Sequence, residues 1–255
     1  MGELDGRVAL VTGGGRGAGR GISELLAANG ATVAVNYHRD AEAARDTVAG
    51  IEANGGRAAM FQGSVADPVD CERLAQEVAA AFEGIDILVC NAGIASRGKA
   101  VADTDAEELQ RVVATHALGP HQLCRHVLPS MRTRGRGDIV FISSVVTTNL
   151  KLNGAPYNMG KAAMEALAGT LAKEERRHGI RVNTVAPGLI ETDMGVRLAR
   201  SFTGNRELED LSSLASRSPF GRVCTPLDVA RAVLFFCTSA SEYVTGQRLE
   251  VDGGG

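Results

Sequence analysis

The sequence predicts an α/β fold of the doubly wound, parallel-sheet kind, and three observations carry the prediction. Short β-branched runs alternate with helix-length amphipathic segments from end to end of the 255 residues, the pattern of βαβ units. Two runs, Ile85-Asp86-Ile87-Leu88-Val89-Cys90 and Asp138-Ile139-Val140-Phe141-Ile142, lack polar alternation, as strands covered on both faces do. Glycine is abundant, at 31 residues, while aromatics are 4% with no Trp, so the chain makes close backbone approaches and packs with aliphatic side chains.

Strands are expected at residues 7–11, 32–36, 58–62, 85–91, 138–143, 181–186 and 248–251, with helices between them. No linker-like stretch or internal repeat divides the chain, so one domain over residues 1–255 is expected. The segment at about 191–218 differs in texture, with Gly195, Gly204, Asn205 and scattered Arg among Met194, Leu198, Phe202, Leu208, Leu211 and Leu214. It reads as a substrate lid, whose apolar residues suit an apolar substrate, or as an extra helical hairpin that only packs.

Charge excludes several classes of function. The 27 basic and 30 acidic residues leave a net charge of −3, with no basic stripe, so no nucleic-acid partner is expected. The local cluster Arg132, Arg134 and Arg136 reads as a solvated turn. Five cysteines form no C-x-x-C pair and suit small buried hydrophobes in a reducing cytoplasm. No apolar stretch approaches the roughly 18 residues of a membrane span. The opening Met1-Gly2-Glu3-Leu4 does not read as a signal peptide, and no metal site is expected; His121 and His126 are placed on a helix surface or in a subunit contact.

The first strand runs into Gly13-Gly14-Gly15-Arg16-Gly17-Ala18-Gly19 and then into helical text at Ile22-Ser23-Glu24-Leu25-Leu26. A strand, a glycine turn and a helix N-terminus present backbone N–H groups and a positive dipole end to a pyrophosphate, so a dinucleotide is expected here. A carboxylate at the end of the second strand would favour NAD; that strand instead ends Asn36-Tyr37-His38-Arg39, with no carboxylate until Asp40. Arg16 and Arg39, with His38 as a donor, are placed to flank a 2′-phosphate, which favours NADP over NAD.

A second cluster, Tyr157-Asn158-Met159-Gly160-Lys161, opens a helical segment running to His178. Tyrosine and lysine at i and i+4 share a helix face, and the ammonium is expected to draw the phenol pKa down toward a useful range. Ser144 ends a predicted central strand, at the edge where doubly wound sheets bind ligands, and is placed to donate to a substrate oxygen.

Together these residues resemble the classical short-chain dehydrogenase/reductase family over essentially the whole chain. Thr12-Gly13-x-x-x-Gly17-x-Gly19 is similar to its cofactor loop, and Asn91-Ala92-Gly93 to its motif after strand four. Ser144 with Tyr157-x-x-x-Lys161 is similar to its catalytic set, and Pro187-Gly188 through Thr192 to its nicotinamide segment. The resemblance implies a Rossmann domain with a seven-stranded parallel sheet in the order 3-2-1-4-5-6-7 and helices on both faces. It implies hydride exchange between NADP(H) and a ketone or secondary alcohol, similar to the 3-oxoacyl-carrier-protein reductases, in a homotetramer or dimer. Tyr157 would be the general acid or base, Lys161 its modulator and Ser144 the substrate anchor. Gly13, Gly15, Arg16, Gly17, Ala18, Gly19, Tyr37, His38, Arg39, Ser64, Val65, Asn91, Ala92, Gly93, Pro187, Gly188, Ile190 and Thr192 would hold the cofactor, with Tyr157 and Lys161.

Two positions depart from the family pattern. Thr115-His116-Ala117-Leu118-Gly119 places His116 where a relay asparagine is usual, and Ser64 stands where an aspartate often meets the adenine. His116, titrating near physiological pH, either takes part in the proton relay or is tolerated as an ordinary helix residue. An alternative to the active reductase is therefore a cofactor-binding sensor or scaffold with weak catalysis.

Overall fold

The computed structural model describes residues 2–254, and of residues 201, 202, 217 and 219 the backbone only. Seven strands, β1 (Val8–Val11), β2 (Thr32–Tyr37), β3 (Arg57–Gln62), β4 (Ile87–Cys90), β5 (Gly137–Ile142), β6 (Ile180–Pro187) and β7 (Arg248–Val251), form one sheet in the order β3-β2-β1-β4-β5-β6-β7. Every neighbouring pair runs parallel, as the sequence and the family resemblance predict. The connecting helices are α1 (Gly17–Ala28), α2 (Ala41–Ala53), α3 (Pro68–Phe82), α4 (Ala106–Val113), α5 (Gly119–Arg134), the short α6 (Val146–Asn149), α7 (Ala155–Glu175), α8 (Asp193–Thr203) and α9 (Pro226–Cys237).

Strand alternation explains why both faces are apolar. Leu10, Leu88, Ile139 and Phe141 point to one face, where α3, α5 and α7 supply Leu74, Leu123 and Met164. Ala9, Val11, Val89 and Val140 point to the other, covered by Ile22 and Leu26 of α1, Ile51 of α2 and Val233 of α9. Helix starts follow capping chemistry. The Asp67 side chain accepts from the Val69 and Asp70 amides ahead of α3, with Pro68 as its first residue. Thr225 and Asp228 form a reciprocal capping box on α9.

Strand four is shorter than its apolar run. Asp86 turns its carboxylate to accept from Val8 N at 2.9 Å and to pair with Arg134 at 2.7 Å, and beyond Cys90 the chain leaves the ladder as Asn91 N donates to Thr12 Oγ1 at 2.9 Å. Arg134 and Arg132, which pairs with Glu175 at 2.5 Å, are thereby tied into the fold, a correction to their reading as a solvated turn. Glu175 and Asp86 supply the anions, and neither is a neighbour in sequence. All five cysteines are free thiols, four of them buried.

Residues 191–218 fold back on themselves. Arg200 Nε donates to Leu208 O at 2.8 Å, and Leu208, Leu211, Ala199 and Val223 form a small apolar cluster of their own with Leu214 packed against it. Leu198 remains exposed; the side chain of Phe202 lies outside the described residues. Among the described residues no helix is long and apolar enough to cross a membrane.

Candidate active site

The glycine turn, Tyr37, Ser64, Asn91, Ser144 and Pro187 all lie at or just beyond the carboxyl ends of strands, so the parallel sheet gathers them along one edge. Gly13 and Gly17 have φ of 60° and 53°, in the region that disfavours side chains. A Cβ on Gly19 would stand 2.1 Å from Gly13 O. The first turn of α1 has no side-chain cap and no acidic residue, so the amides of Ala18 and Gly19 face an anion site by default. Such a cradle fits a pyrophosphate.

Two side chains brace this loop: Thr12, which opens the glycine motif, and Asn36, whose part the sequence reading did not find. Thr12 Oγ1 accepts from Asn91 N and Ala92 N, at 2.9 and 3.0 Å, while Asn91 Nδ2 donates to Thr12 O at 2.8 Å. Asn36, buried in β2, accepts from Gly13 N at 3.2 Å and donates to Gly63 O at 3.1 Å, joining the first and third loops. Its polarity inside an apolar strand was the available signal. Ser64 N donates to Asp70 Oδ2 at 2.7 Å, and the Arg73 hydrogen bond holds that carboxyl below its ordinary pKa. Val65 is buried, its carbonyl set against Gly119.

His38, Arg39 and Asp40 are exposed beyond Tyr37. Asp40 caps α2 by accepting from Ala43 N at 3.1 Å, and its other oxygen lies 3.6 Å from Arg16 Nη1. Past the ends of β5 and β6, Val145 N donates to Pro187 O and Gly188 N to Val251 O, both at 3.1 Å. Thr192 caps α8 by accepting from Gly195 N at 3.1 Å, and its methyl group lies over Gly17; Ile190 bridges to Cys224.

Ser144, Tyr157, Lys161 and His116 converge. Lys161, almost fully buried, donates through Nζ to Ile142 O at 2.6 Å and stands 5.7 Å from the Tyr157 ring centroid. Burial pushes its pKa down to about 7. The same burial pushes the Tyr157 phenol up to about 12, against a hydrogen bond with Ser144 that favours the ionised form. The expected lowering of the phenol by the ammonium is therefore corrected: desolvation sets the direction of the shift, and the opposing influence is Ser144. A phenol raised to about 12 stays protonated at neutral pH.

His116 sits in one π-helical turn between α4 and α5. Its Nε2 is 2.8 Å from Ile94 O and its ring meets Tyr157 edge-on, with centroids 5.0 Å apart. Gly93 and Gly160 make room for the side chain, since a Cβ on Gly93 would stand 2.8 Å from the ring carbon Cε1 and one on Gly160 3.0 Å from the His116 Cβ. Burial drives the imidazole down to about 3, so titration near physiological pH is corrected: the ring is neutral, Nε2 lies 2.8 Å from Ile94 O and 3.3 Å from Ile94 N, the shorter contact being the one an Nε2–H donor makes, and Nδ1 has no hydrogen-bond partner. On α5, His121 is exposed and His126 half-buried.

This sheet, glycine cradle and pairing of Tyr157 with the buried Lys161 are those of a nucleotide-dependent oxidoreductase. The family description "Enoyl-(Acyl carrier protein) reductase" matches residues 13–255. The versicolorin reductase of Emericella nidulans is 38% identical over 99% of this chain and 96% of its own. The 3-oxoacyl-(acyl-carrier-protein) reductase of Escherichia coli is 35% identical over 99% and 98%. Among solved structures, the angucycline C-6 ketoreductase LanV with bound NADP superposes with a TM-score of 0.87 at 32% identity, covering 99% of this chain and 96% of that one. Levodione reductase gives 0.91 at 28%, covering 98% of each. The chain belongs to the short-chain dehydrogenase/reductase family and is an NAD(P)-dependent enzyme acting on C=O and CH–OH groups.

Proposed function

We propose that this protein is an NADPH-dependent ketone reductase in which Tyr157 delivers the proton. The observation that carries the reading is the convergence of Ser144, Tyr157 and Lys161, whose Nζ stands 5.7 Å from the phenol ring centroid, on the sheet edge that holds the glycine cradle. When bound, the nicotinamide supplies the hydride, and the chain's own groups do the rest. Ser144 donates to the carbonyl oxygen and fixes its distance from Tyr157. Tyr157 passes its proton to that oxygen as negative charge develops there. Lys161, anchored on Ile142 O, stabilises the phenolate left behind and is placed to hold a ribose hydroxyl. His116, neutral and edge-on to Tyr157, offers an acceptor at Nδ1 for the hydrogen-bonded path that reprotonates the pair. The relatives are reductases and the Ser144–Tyr157–Lys161 set is intact, so nothing favours the reading as a sensor with weak catalysis.

For the cofactor, the first-turn amides of α1 with Gly13, Gly15 and Gly17 hold the pyrophosphate, while Arg16, His38 and Arg39 receive the 2′-phosphate. The absence of a carboxylate on β2 and the NADP in the LanV structure support NADP. Residues 191–218 act as the lid of a single domain, with exposed Leu198 among the substrate-facing candidates. The exposed Ala162, Ala163 and Ala166 on α7 offer a smooth face for close helix packing between copies, consistent with a homotetramer, and sedimentation equilibrium reads the assembly.

Thermal shift tests the cofactor. At 100 times its Kd, NADP⁺ is expected to stabilise the protein by about 2.7 kcal/mol. NAD⁺ at the same concentration should shift the transition less. A larger shift with NAD⁺ overturns the roles of Arg16 and Arg39.

A further inference from the structure

Three consecutive residues at the end of β5 dock on one stripe of α7. Ile142 O accepts from Lys161 Nζ at 2.6 Å, Ser143 Oγ donates to Glu165 Oε1 at 2.5 Å, and Ser144 hydrogen-bonds with Tyr157. Tyr157, Lys161 and Glu165 follow at i, i+4 and i+8, so a single helix face presents all three. The first two belong to the chemistry above; Glu165 touches neither, and its charge acts on Lys161 only by favouring the protonated amine.

Glu165 is built into a site of its own. Its Oε1 also accepts from Thr147 Oγ1 and from Arg248 Nε, each at 2.9 Å. The two side chains of the Glu165–Arg248 ion pair are 22% and 26% exposed, which makes these charge-assisted bonds stronger than their surface counterparts. Arg248 reaches from β7 to donate through Nη2 to Thr147 Oγ1 at 3.0 Å and to Ser144 O at 3.4 Å, and through Nη1 to Glu250. The pair therefore grips the chain on both sides of Ser144, at Ser143 and at Thr147, and touches the Ser144 carbonyl itself. The segment that follows needs such a grip. Helix α6 spans only Val146–Asn149, and Leu150, Lys151 and Leu152 after it are exposed.

We propose that Glu165 and Arg248 are positioning residues: the ion pair clamps the Ser143–Thr147 turn onto α7 and β7 and so fixes the Ser144 hydroxyl relative to Tyr157. The inference rests on the catalytic part proposed above for Ser144. A clamp that sets hydroxyl position acts on the chemical step and leaves the nucleotide alone, because neither residue faces the glycine cradle.

A double-mutant cycle separates this from a role in mere cohesion of β7 with α7. Glu165→Ala is expected to lower kcat by about 10-fold to 100-fold, the effect of a small misplacement of a catalytic group, while KM for NADPH stays within about twofold. In a Ser144→Ala background the same change should cost less than about twofold, because the group being positioned is gone. Glu165→Gln keeps an acceptor for Ser143 and loses the charge facing Arg248; it should give a smaller loss that vanishes in the same background, and it carries the test should Glu165→Ala fold poorly. An undiminished penalty in the Ser144→Ala background, with Ser144→Ala itself impaired, overturns the clamp alone. Normal kcat in Ser144→Ala, with Glu165→Ala impaired, overturns both the clamp and the role of Ser144.

Discussion

Tyr157→Phe is expected to reduce kcat for ketone reduction by about 10²–10⁴-fold, the usual worth of a positioned general acid. Nucleotide affinity should change little, because the phenol hydroxyl is the only group removed and the ring that packs against His116 remains. The direction follows from the phenol's standing at about 12: at neutral pH it is protonated throughout, so its loss removes a donor the carbonyl oxygen needs and substitutes nothing. Stopped-flow or steady-state decay of NADPH absorbance measures kcat, and isothermal titration with NADP⁺ measures affinity. A variant that turns over at more than about a tenth of the wild-type rate would show that another group delivers the proton.

The second large effect belongs to the cradle. Gly19→Ala places a methyl group 2.1 Å from Gly13 O and 2.6 Å from Asn91 Nδ2, neither of which is the free end of a flexible side chain. Asn91 is tied to Thr12 O and Gly13 O, so the clash propagates into the loop that the nucleotide must meet. Moving α1 away from Gly13 breaks the alignment of its first amides. At least two backbone hydrogen bonds to the pyrophosphate are forfeited, at about 1 to 1.5 kcal/mol each, so Kd for NADP⁺ should rise by about 30-fold to 100-fold or more. Global stability should fall by about 1–3 kcal/mol, as overpacking does. Titration calorimetry and urea unfolding report the two quantities separately. Unchanged affinity in a folded Gly19→Ala protein would show that the nucleotide does not lie across this loop.

The features legible in the sequence are those written locally. Strands such as β5 are apolar on both faces and announce themselves, and Gly13–Gly19 and Tyr157-x-x-x-Lys161 are contiguous enough to be read as units. The features that sequence reasoning missed depend on residues far apart in the chain. Asn36 joins two loops through Gly13 and Gly63; Arg134 finds Asp86, and Glu165 finds Arg248. Electrostatic state was the least legible of all. Tyr157 and His116 both carry pKa values set by burial, which moves the phenol up and the imidazole down, opposite in the first case to what an adjacent lysine suggests. The lid segment shows the same limit: Leu208 and Leu211, candidates for a substrate wall, bury each other instead.

On the proposed function, this edge of the sheet transfers hydride from NADPH to a ketone with Tyr157 as proton donor. The most direct test is the fall in absorbance at 340 nm when the wild-type protein and NADPH meet a panel of 3-oxoacyl thioesters and cyclic or aromatic ketones. Steady, enzyme-dependent NADPH consumption with at least one member, with a carbinol recovered as product, is the predicted result. No consumption with any member, in a protein that binds NADPH and is folded, would contradict the account.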